Sequence, residues 1–243
     1  MIAKETVHWY SPNIEQDVQL VRWGHFGAPV LVFPTAGGDA EEIERFLMVR
    51  VLEPLLNAGR IKLYSIDSVA GRAWISGQHS PEFCSKLQNR FDAFVYHEVT
   101  PAIRNDCRSD NLEIIAAGAS IGAFNSVATV CRHPDAYRLA IAMSGTYDLS
   151  KYLNSSFNQE FYFSSPLHYL PDLEGNLLQA LRKRLILMPT GEGDWEDIGE
   201  SWRMAQVLGS KQIPNRVDPW GPQYHHNWVT WREMLPKYLA EYA

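Results

Sequence analysis

The chain has 243 residues, of which 46% are hydrophobic, and this composition excludes a disordered or fibrous protein. Its 28 Asp and Glu residues outnumber its 22 Lys and Arg residues, and the net charge of -6 argues against nucleic acid as a partner. The sequence contains neither an apolar run of the roughly 20 residues that a membrane span needs nor a secretory signal, so we expect a cytoplasmic protein without a membrane partner.

The first 28 residues predict an antiparallel hairpin, with a strand at 18–23 and its turn at 24–27. After Pro29, short apolar runs typical of buried strands alternate with segments of helical periodicity. The predicted strands are 30–33, 61–66, 112–117, 139–143, 185–188 and 216–220. This alternation predicts an α/β fold with a mostly parallel central sheet and helices on both of its faces.

The first predicted helix lies between Asp39 and Gly59. Asp39 and Glu42 have the spacing of a capping box, in which the two residues close the start of a helix. Its apolar stripe consists of Ile43, Phe46, Leu47, Val51 and Leu55. Further helices are predicted at 83–95, at 121–131 and, rich in tryptophan, at 228–239.

Gly and Pro are scattered rather than gathered into a linker, which predicts a single domain over residues 1–243. Residues 151–183 interrupt the alternation, and we interpret them as a short insertion near the functional edge of the sheet, without a large lid. The cysteines are Cys84, Cys107 and Cys131, and their wide spacing predicts neither disulfides nor a metal site. Edge strands and the many tryptophans are compatible with a homo-oligomer.

The sharpest chemical motif is Gly118-Ala119-Ser120-Ile121-Gly122. Such a motif is common by chance, but here it follows a predicted strand and opens a predicted helix, which is the setting of a nucleophile elbow. Glycines two residues before and after Ser120 allow the strand and helix to approach closely. The sequence therefore predicts Ser120 as a nucleophile, and the alternative is a plain glycine-rich turn.

A serine needs a base, and a histidine after the last predicted strand is in the right place to supply one. His225 and His226 both lie there, directly before the final helix. We prefer His226 because Trp228 and Trp231 would anchor the helix that follows it. His225 stays an alternative.

The base needs an acid that holds its tautomer. The loop after strand 185–188 contains four carboxylates within residues 189–197. We choose Asp194, because it lies far enough beyond the strand to turn back under His226, and Glu196 is its main rival. Along the chain, the nucleophile Ser120 comes first, the acid Asp194 second and the base His226 last. This order differs from those of the other serine-triad folds.

An oxyanion that forms on the substrate needs two N–H donors. The backbone N–H of Ile121, directly after the nucleophile, is one candidate. The other should come from the turn after an early strand, where Ala36 is the first choice and Thr35 the second. The alternative is an ordinary Gly-Gly loop that leads to a helix start.

These motifs resemble the esterase family of the α/β-hydrolase superfamily, which includes S-formylglutathione hydrolases, feruloyl esterases and mycolyltransferases. The resemblance runs through most of the chain and is carried by residues 118–124, 132–135, 143–148 and 226–231. Asn227 replaces the family's usual Asp after the histidine. Residues 32–38 and 67–69 are similar to a small bacterial branch. The resemblance implies the α/β-hydrolase fold and ester hydrolysis without cofactor or metal.

We therefore expect a serine carboxylesterase that cleaves small or short-chain esters through an acyl-enzyme, with Ser120, Asp194 and His226 as its triad. Aromatic residues are expected either to wall the substrate pocket or to pack in the core: Trp74, Tyr152, Phe157, Phe161, Tyr162 and Phe163. Two alternatives stay open. The same residues could transfer the acyl group to an alcohol, or the chain could be a non-catalytic binding module.

Overall fold

Within residues 2–243, which the computed structural model describes, eight strands form one sheet. They are β1 (Lys4–Ser11), β2 (Gln16–Trp23), β3 (Ala28–Phe33), β4 (Ile61–Ile66), β5 (Ile114–Ala119), β6 (Tyr137–Met143), β7 (Leu185–Thr190) and β8 (Asn215–Pro219). Their order across the sheet is β1-β2-β4-β3-β5-β6-β7-β8. The β1/β2 and β2/β4 pairs are antiparallel, and the other neighbours are parallel. The predicted mostly parallel sheet with an N-terminal antiparallel hairpin is confirmed.

The hairpin's turn, however, lies at residues 12–15, and its prediction at 24–27 was wrong. Residues 24–27 connect β2 to β3, and these strands are separated in the sheet by β4. Gly27 has a φ of +117°, and a Cβ there would lie 2.4 Å from the backbone of Arg60. The glycine thus allows a close crossing over the start of β4. The apolar pattern of a strand does not reveal which neighbour it pairs with.

Helices cover both faces of the sheet. They are α1 (Glu42–Arg45), α2 (Met48–Val51), α3 (Glu53–Asn57), α4 (Val69–Ser76), α5 (Pro81–Phe94), α6 (Thr100–Asp106), α7 (Ile121–Arg132), α8 (Gln159–Ser164), α9 (Pro166–Tyr169), α10 (Gly175–Leu181), α11 (Ile198–Ser210) and α12 (Trp228–Tyr242). The side chains of β3 point alternately to the two faces, as a strand requires. Leu31 and Phe33 join one buried cluster with α5 and α7, and Val30 and Val32 join another with α12. The predicted helices on both faces are therefore confirmed.

The segment predicted as one helix between Asp39 and Gly59 is three short helices, α1, α2 and α3. The chain breaks at Leu47, whose φ of +63° is left-handed. The predicted stripe is also interrupted, because Phe46 and Leu47 are exposed. The predicted capping box is wrong, since the Glu42 side chain turns away from the helix start towards Thr35.

Residues 151–183 form α8, α9 and α10 between β6 and β7. The carboxyl ends of β3, β5, β6 and β7 meet at one edge of the sheet because these strands are parallel. The loops that follow them contain Ala36, Ser120, Ser144 and Glu196. Helix α12 packs Trp231 and Leu235 against one face of the sheet, and Asn227 caps its start. This packing brings His226 to the same edge.

Candidate active site

Ser120 lies at a sharp turn between β5 and α7, as predicted from the glycine motif. Its φ of 57° and ψ of -121° are a strained conformation for a residue with a side chain. A Cβ on Gly118 would lie 2.3 Å from the Gly122 carbonyl oxygen, and one on Gly122 would lie 2.4 Å from the Phe33 carbonyl oxygen. Both glycines are therefore needed for the close approach of β3, β5 and α7. The turn leaves Ser120 only half-buried.

Two backbone N–H groups near this turn are free to bind an anion. Within residues 2–243, the N–H groups of Ala36 and Ile121 donate no intramolecular hydrogen bond. Ala36 packs against a cluster that contains Ile121, so the two residues lie on the same side of the turn. Thr35, the second choice for a donor, already donates its N–H to Glu42 Oε2 at 2.8 Å. The geometry thus favours Ala36 over Thr35.

His226 is held by an acid and by an aromatic ring. Its Nδ1 lies 3.4 Å from Glu196 Oε2, and the Glu196 side chain is only 1% exposed. The Trp231 ring packs edge-on against the imidazole at 5.1 Å between ring centroids. This Nδ1 to Oε2 distance is longer than the roughly 2.7–3.2 Å of most protein hydrogen bonds. A buried carboxylate beside Nδ1 can fix the tautomer in which Nε2 accepts a proton.

A further contact locks the carboxylate of Glu196. Ser144, at the end of β6, donates its hydroxyl to Glu196 Oε1 at 2.6 Å. Trp231 in turn donates its indole N–H to Ser144 Oγ at 3.0 Å. The acid and the base are therefore tied to one another through β6 and α12. Sequence reasoning assigned no role to Ser144, and only its place directly after a strand end pointed to the site.

Asp194, the predicted acid, lies beside the other histidine. Its carboxylate is 83% exposed and is 3.3 Å from His225 Nδ1. The same Nδ1 accepts the backbone N–H of Asp194 at 2.8 Å, so this nitrogen carries no proton in the neutral ring. Asp194 touches His226 only through its carbonyl oxygen, which accepts the His226 N–H. The structure therefore brings Glu196, and not Asp194, to the imidazole of His226.

Four of the five aromatic residues predicted from the 151–183 segment separate into two pairs, and the fifth, Phe157, packs edge-on against Phe161 but is 55% exposed. Phe161 and Tyr152 pack with Trp74 close to the start of α7, in a cluster that includes Ile121. Tyr162 and Phe163 instead line a cavity of about 410 Å³ with Arg132, at the other end of α7. Only the first pair lies beside the Ser120 turn. Tyr162 and Phe163 are thus removed from the predicted substrate pocket.

The sequence and the fold of this chain resemble those of known proteins. A family profile described as "Putative esterase" matches residues 65–242, which is well over half of the chain. The chain belongs to this family. No protein of curated function matches it in sequence. As a member of the esterase family with the fold described above, it is a hydrolase.

Solved structures share the fold of this esterase-family chain. A ferulic acid esterase is 15% identical and superposes with a TM-score of 0.75, covering 98% of this chain and 97% of its own. An S-formylglutathione hydrolase from Agrobacterium tumefaciens is 12% identical, with a TM-score of 0.73 and coverages of 99% and 94%. FphF, a fluorophosphonate-binding serine hydrolase of Staphylococcus aureus, is 12% identical, with a TM-score of 0.63 and coverages of 99% and 98%. The predicted α/β-hydrolase fold and family are confirmed.

Two further observations concern metals and membranes. Within residues 2–243, no group of three His, Cys, Asp or Glu side chains is arranged to hold a metal ion. None of the helices in this part of the chain combines the length and the apolar character that crossing a membrane requires.

Proposed function

We propose that this chain is a serine carboxylesterase with Ser120 as nucleophile, His226 as base and Glu196 as the acid that orients the base. The observation that carries the proposal is the buried carboxylate of Glu196 against His226 Nδ1, at the same sheet edge as the strained Ser120 turn. A carboxylate in that position stabilises the imidazolium that forms during acyl transfer. Membership of the esterase family supports the same reaction class.

The reaction would proceed in two steps. Ser120 Oγ attacks the ester carbonyl carbon while His226 Nε2 takes its proton, and the N–H groups of Ile121 and Ala36 stabilise the oxyanion. The tetrahedral intermediate collapses, and the alcohol leaves with the proton from His226. Water then attacks the acyl-enzyme with the help of the same base and releases the acid. Glu196 holds the ring of His226 in both steps.

The packing beside Ser120 favours a small acyl group. Trp74 is 4% exposed and Phe161 is 0% exposed, and both belong to the cluster under the first turn of α7. We propose that these apolar side chains contact the acyl group and that their close packing favours a short chain over a long one. We therefore infer small or short-chain esters as substrates.

The test is hydrolysis of p-nitrophenyl esters from acetate to decanoate by the wild-type protein and by Ser120→Ala. Release that falls with chain length and is lost in the variant supports the proposal. Covalent labelling by a fluorophosphonate tests Ser120 separately, and mass spectrometry should place the adduct on that residue. A wild type that releases nothing and takes up no label would instead be a binding module. Transfer of the acyl group to an added alcohol that outcompetes hydrolysis even at low alcohol concentration in water would identify an acyltransferase.

A further inference from the structure

Glu42 is a buried acid outside the proposed triad. Only 5% of the residue is exposed, and no cation lies within 4 Å of its carboxylate among residues 2–243. Its two oxygens both bind Thr35: Oε2 accepts the backbone N–H at 2.8 Å, and Oε1 accepts the hydroxyl at 2.5 Å. Burial raises the pKa of Glu42 above its usual range, because water no longer stabilises its charge. Burying a carboxylate without an ion pair costs folding free energy, and its hydrogen bonds to Thr35 offset part of that cost.

Thr35 directly precedes Ala36, whose free N–H is the proposed second oxyanion donor. The peptide that carries the Ala36 N–H begins at the Thr35 carbonyl group. Glu42 fixes Thr35 at both its backbone and its side chain, so it fixes one end of that peptide. The carbonyl of Thr35 also accepts the Gly38 N–H at 3.0 Å, which closes the turn around Ala36.

Gly38 makes room for this carboxylate. A Cβ on Gly38 would lie 2.3 Å from Glu42 Oε2 and 2.7 Å from Pro34 Cβ, so a larger residue there would displace the acid and also press on Pro34. A Cβ on the adjacent Gly37 would meet only Ile75 Cδ1, at 4.0 Å. Neither glycine has a left-handed φ. The two glycines therefore differ in the space they leave and not in backbone strain.

We propose that Glu42 is a positioning residue for the oxyanion site, which holds Thr35 so that the Ala36 N–H stays directed at the developing oxyanion. The inference rests on the proposed esterase function. It assigns Glu42 no contact with substrate, only an action through Thr35. A preorganised donor costs nothing to align during the reaction, so loss of its support should lower kcat more than it changes KM.

The first test compares Glu42→Met with Glu42→Gln. Methionine fills the space but accepts neither bond, and we expect kcat to fall by about 100-fold, as for a lost or misplaced oxyanion donor. Glutamine can accept the Thr35 N–H with its oxygen and donate its amide to the Thr35 hydroxyl, so it should retain most of kcat. KM should stay within about threefold of the wild-type value in both variants, because the oxyanion contact is stronger in the transition state than in the bound substrate.

The second test uses the two glycines as a matched pair. Gly38→Ala should reduce kcat at least as strongly as Glu42→Met, because its methyl group takes the place of the carboxylate and also meets Pro34 Cβ. Gly37→Ala should remain close to wild type. This pair leaves Glu42 itself unchanged. If Glu42→Met does not fold, a folded Gly38→Ala variant with wild-type kcat overturns the inference, and a loss of kcat with unchanged KM supports it.

Several outcomes would overturn the inference. One is a folded Glu42→Met variant with wild-type kcat. Another is a loss of rate that merely follows the loss of fluorophosphonate-reactive sites and of melting temperature, which would indicate a structural role. Equal effects of the two glycine variants would also contradict it. A wild type without ester turnover would overturn the proposed function and this inference together, whereas an active wild type with unaffected variants overturns the inference alone.

Discussion

The adjacent histidines His225 and His226 each face a carboxylate from one loop, but their two surroundings differ. Glu196 is almost fully buried beside His226, and Ser144 holds its second oxygen. Asp194 is 83% exposed beside His225, whose Nδ1 is already occupied by a backbone N–H. A buried pair interacts strongly, whereas water screens an exposed one.

A single residue between the two acids accounts for their different orientations. Trp195 separates Asp194 from Glu196, has a φ of +64° and is 93% exposed. This turn points the residue before it outwards and the residue after it into the protein. Distance along the chain from the strand end therefore says little about which acid reaches the base.

The largest difference in kcat is expected between variants in which one or the other histidine is removed. His226→Ala should lower kcat by at least about 10⁴-fold, since loss of the base leaves only binding and the oxyanion site. His225→Ala should stay within about threefold, because its ring pairs only with exposed groups. Steady-state hydrolysis of p-nitrophenyl acetate measures both. The reverse ranking would identify His225 as the base.

The acids offer the next largest contrast. Glu196→Gln should lower kcat by about 10³-fold or more, because the amide cannot stabilise the imidazolium. Asp194→Asn should change kcat by less than about threefold. Melting curves should accompany the rates, so that a fold defect is not mistaken for a catalytic one. A severe loss in Asp194→Asn alone would restore Asp194 as the triad acid.

Ser144→Ala probes the support of the buried pair. The change leaves Glu196 Oε1 without its donor, and we expect kcat to fall by about tenfold and the free energy of unfolding by about 1–3 kcal/mol. Ser150→Ala serves as a control, because Ser150 also lies in the segment between β6 and β7. Unchanged kcat in Ser144→Ala would show that Glu196 holds the base without this bond.

The smallest effect is expected for Trp231→Phe. Phenylalanine keeps a ring against His226 but cannot donate to Ser144 Oγ, which loses a neutral hydrogen bond worth about 1 kcal/mol. We expect a loss of a fewfold in kcat. Trp228→Phe, which changes the ring stacked on Phe46, is the matched control. An equal effect of both variants would assign the loss to packing of α12 rather than to the hydrogen bond.

Much of the fold could be predicted from the sequence, because buried parallel strands are continuous apolar runs that leave a clear pattern. Strand 61–66 was predicted to the residue, and 185–188 lies within β7. The break at Leu47 was not predictable, since a left-handed leucine has no sequence signal. The order of β2, β4 and β3 escaped prediction too, because pairing depends on contacts distant in sequence.

The site was predictable where local geometry demands particular residues. The Ser120 turn needs glycines on both sides, and these are visible in the chain. The proposed acid was not predictable, because Asp194 and Glu196 differ only in how the loop turns at Trp195. The contact of Glu42 with Thr35 was not predicted for a different reason. The spacing of Glu42 from Asp39 fits a capping box, and this local motif suggested another role for its side chain.

Helix α12 both covers one face of the sheet and carries the groups next to His226. During synthesis the Ser120 turn leaves the ribosome about a hundred residues before this helix does. On the proposed function, a nascent chain can form the Ser120 turn early, but it has no base until α12 docks against that face. Partly folded or trimmed forms without a docked α12 are then expected to have no ester turnover. Ester turnover would thus serve as a readout of α12 docking.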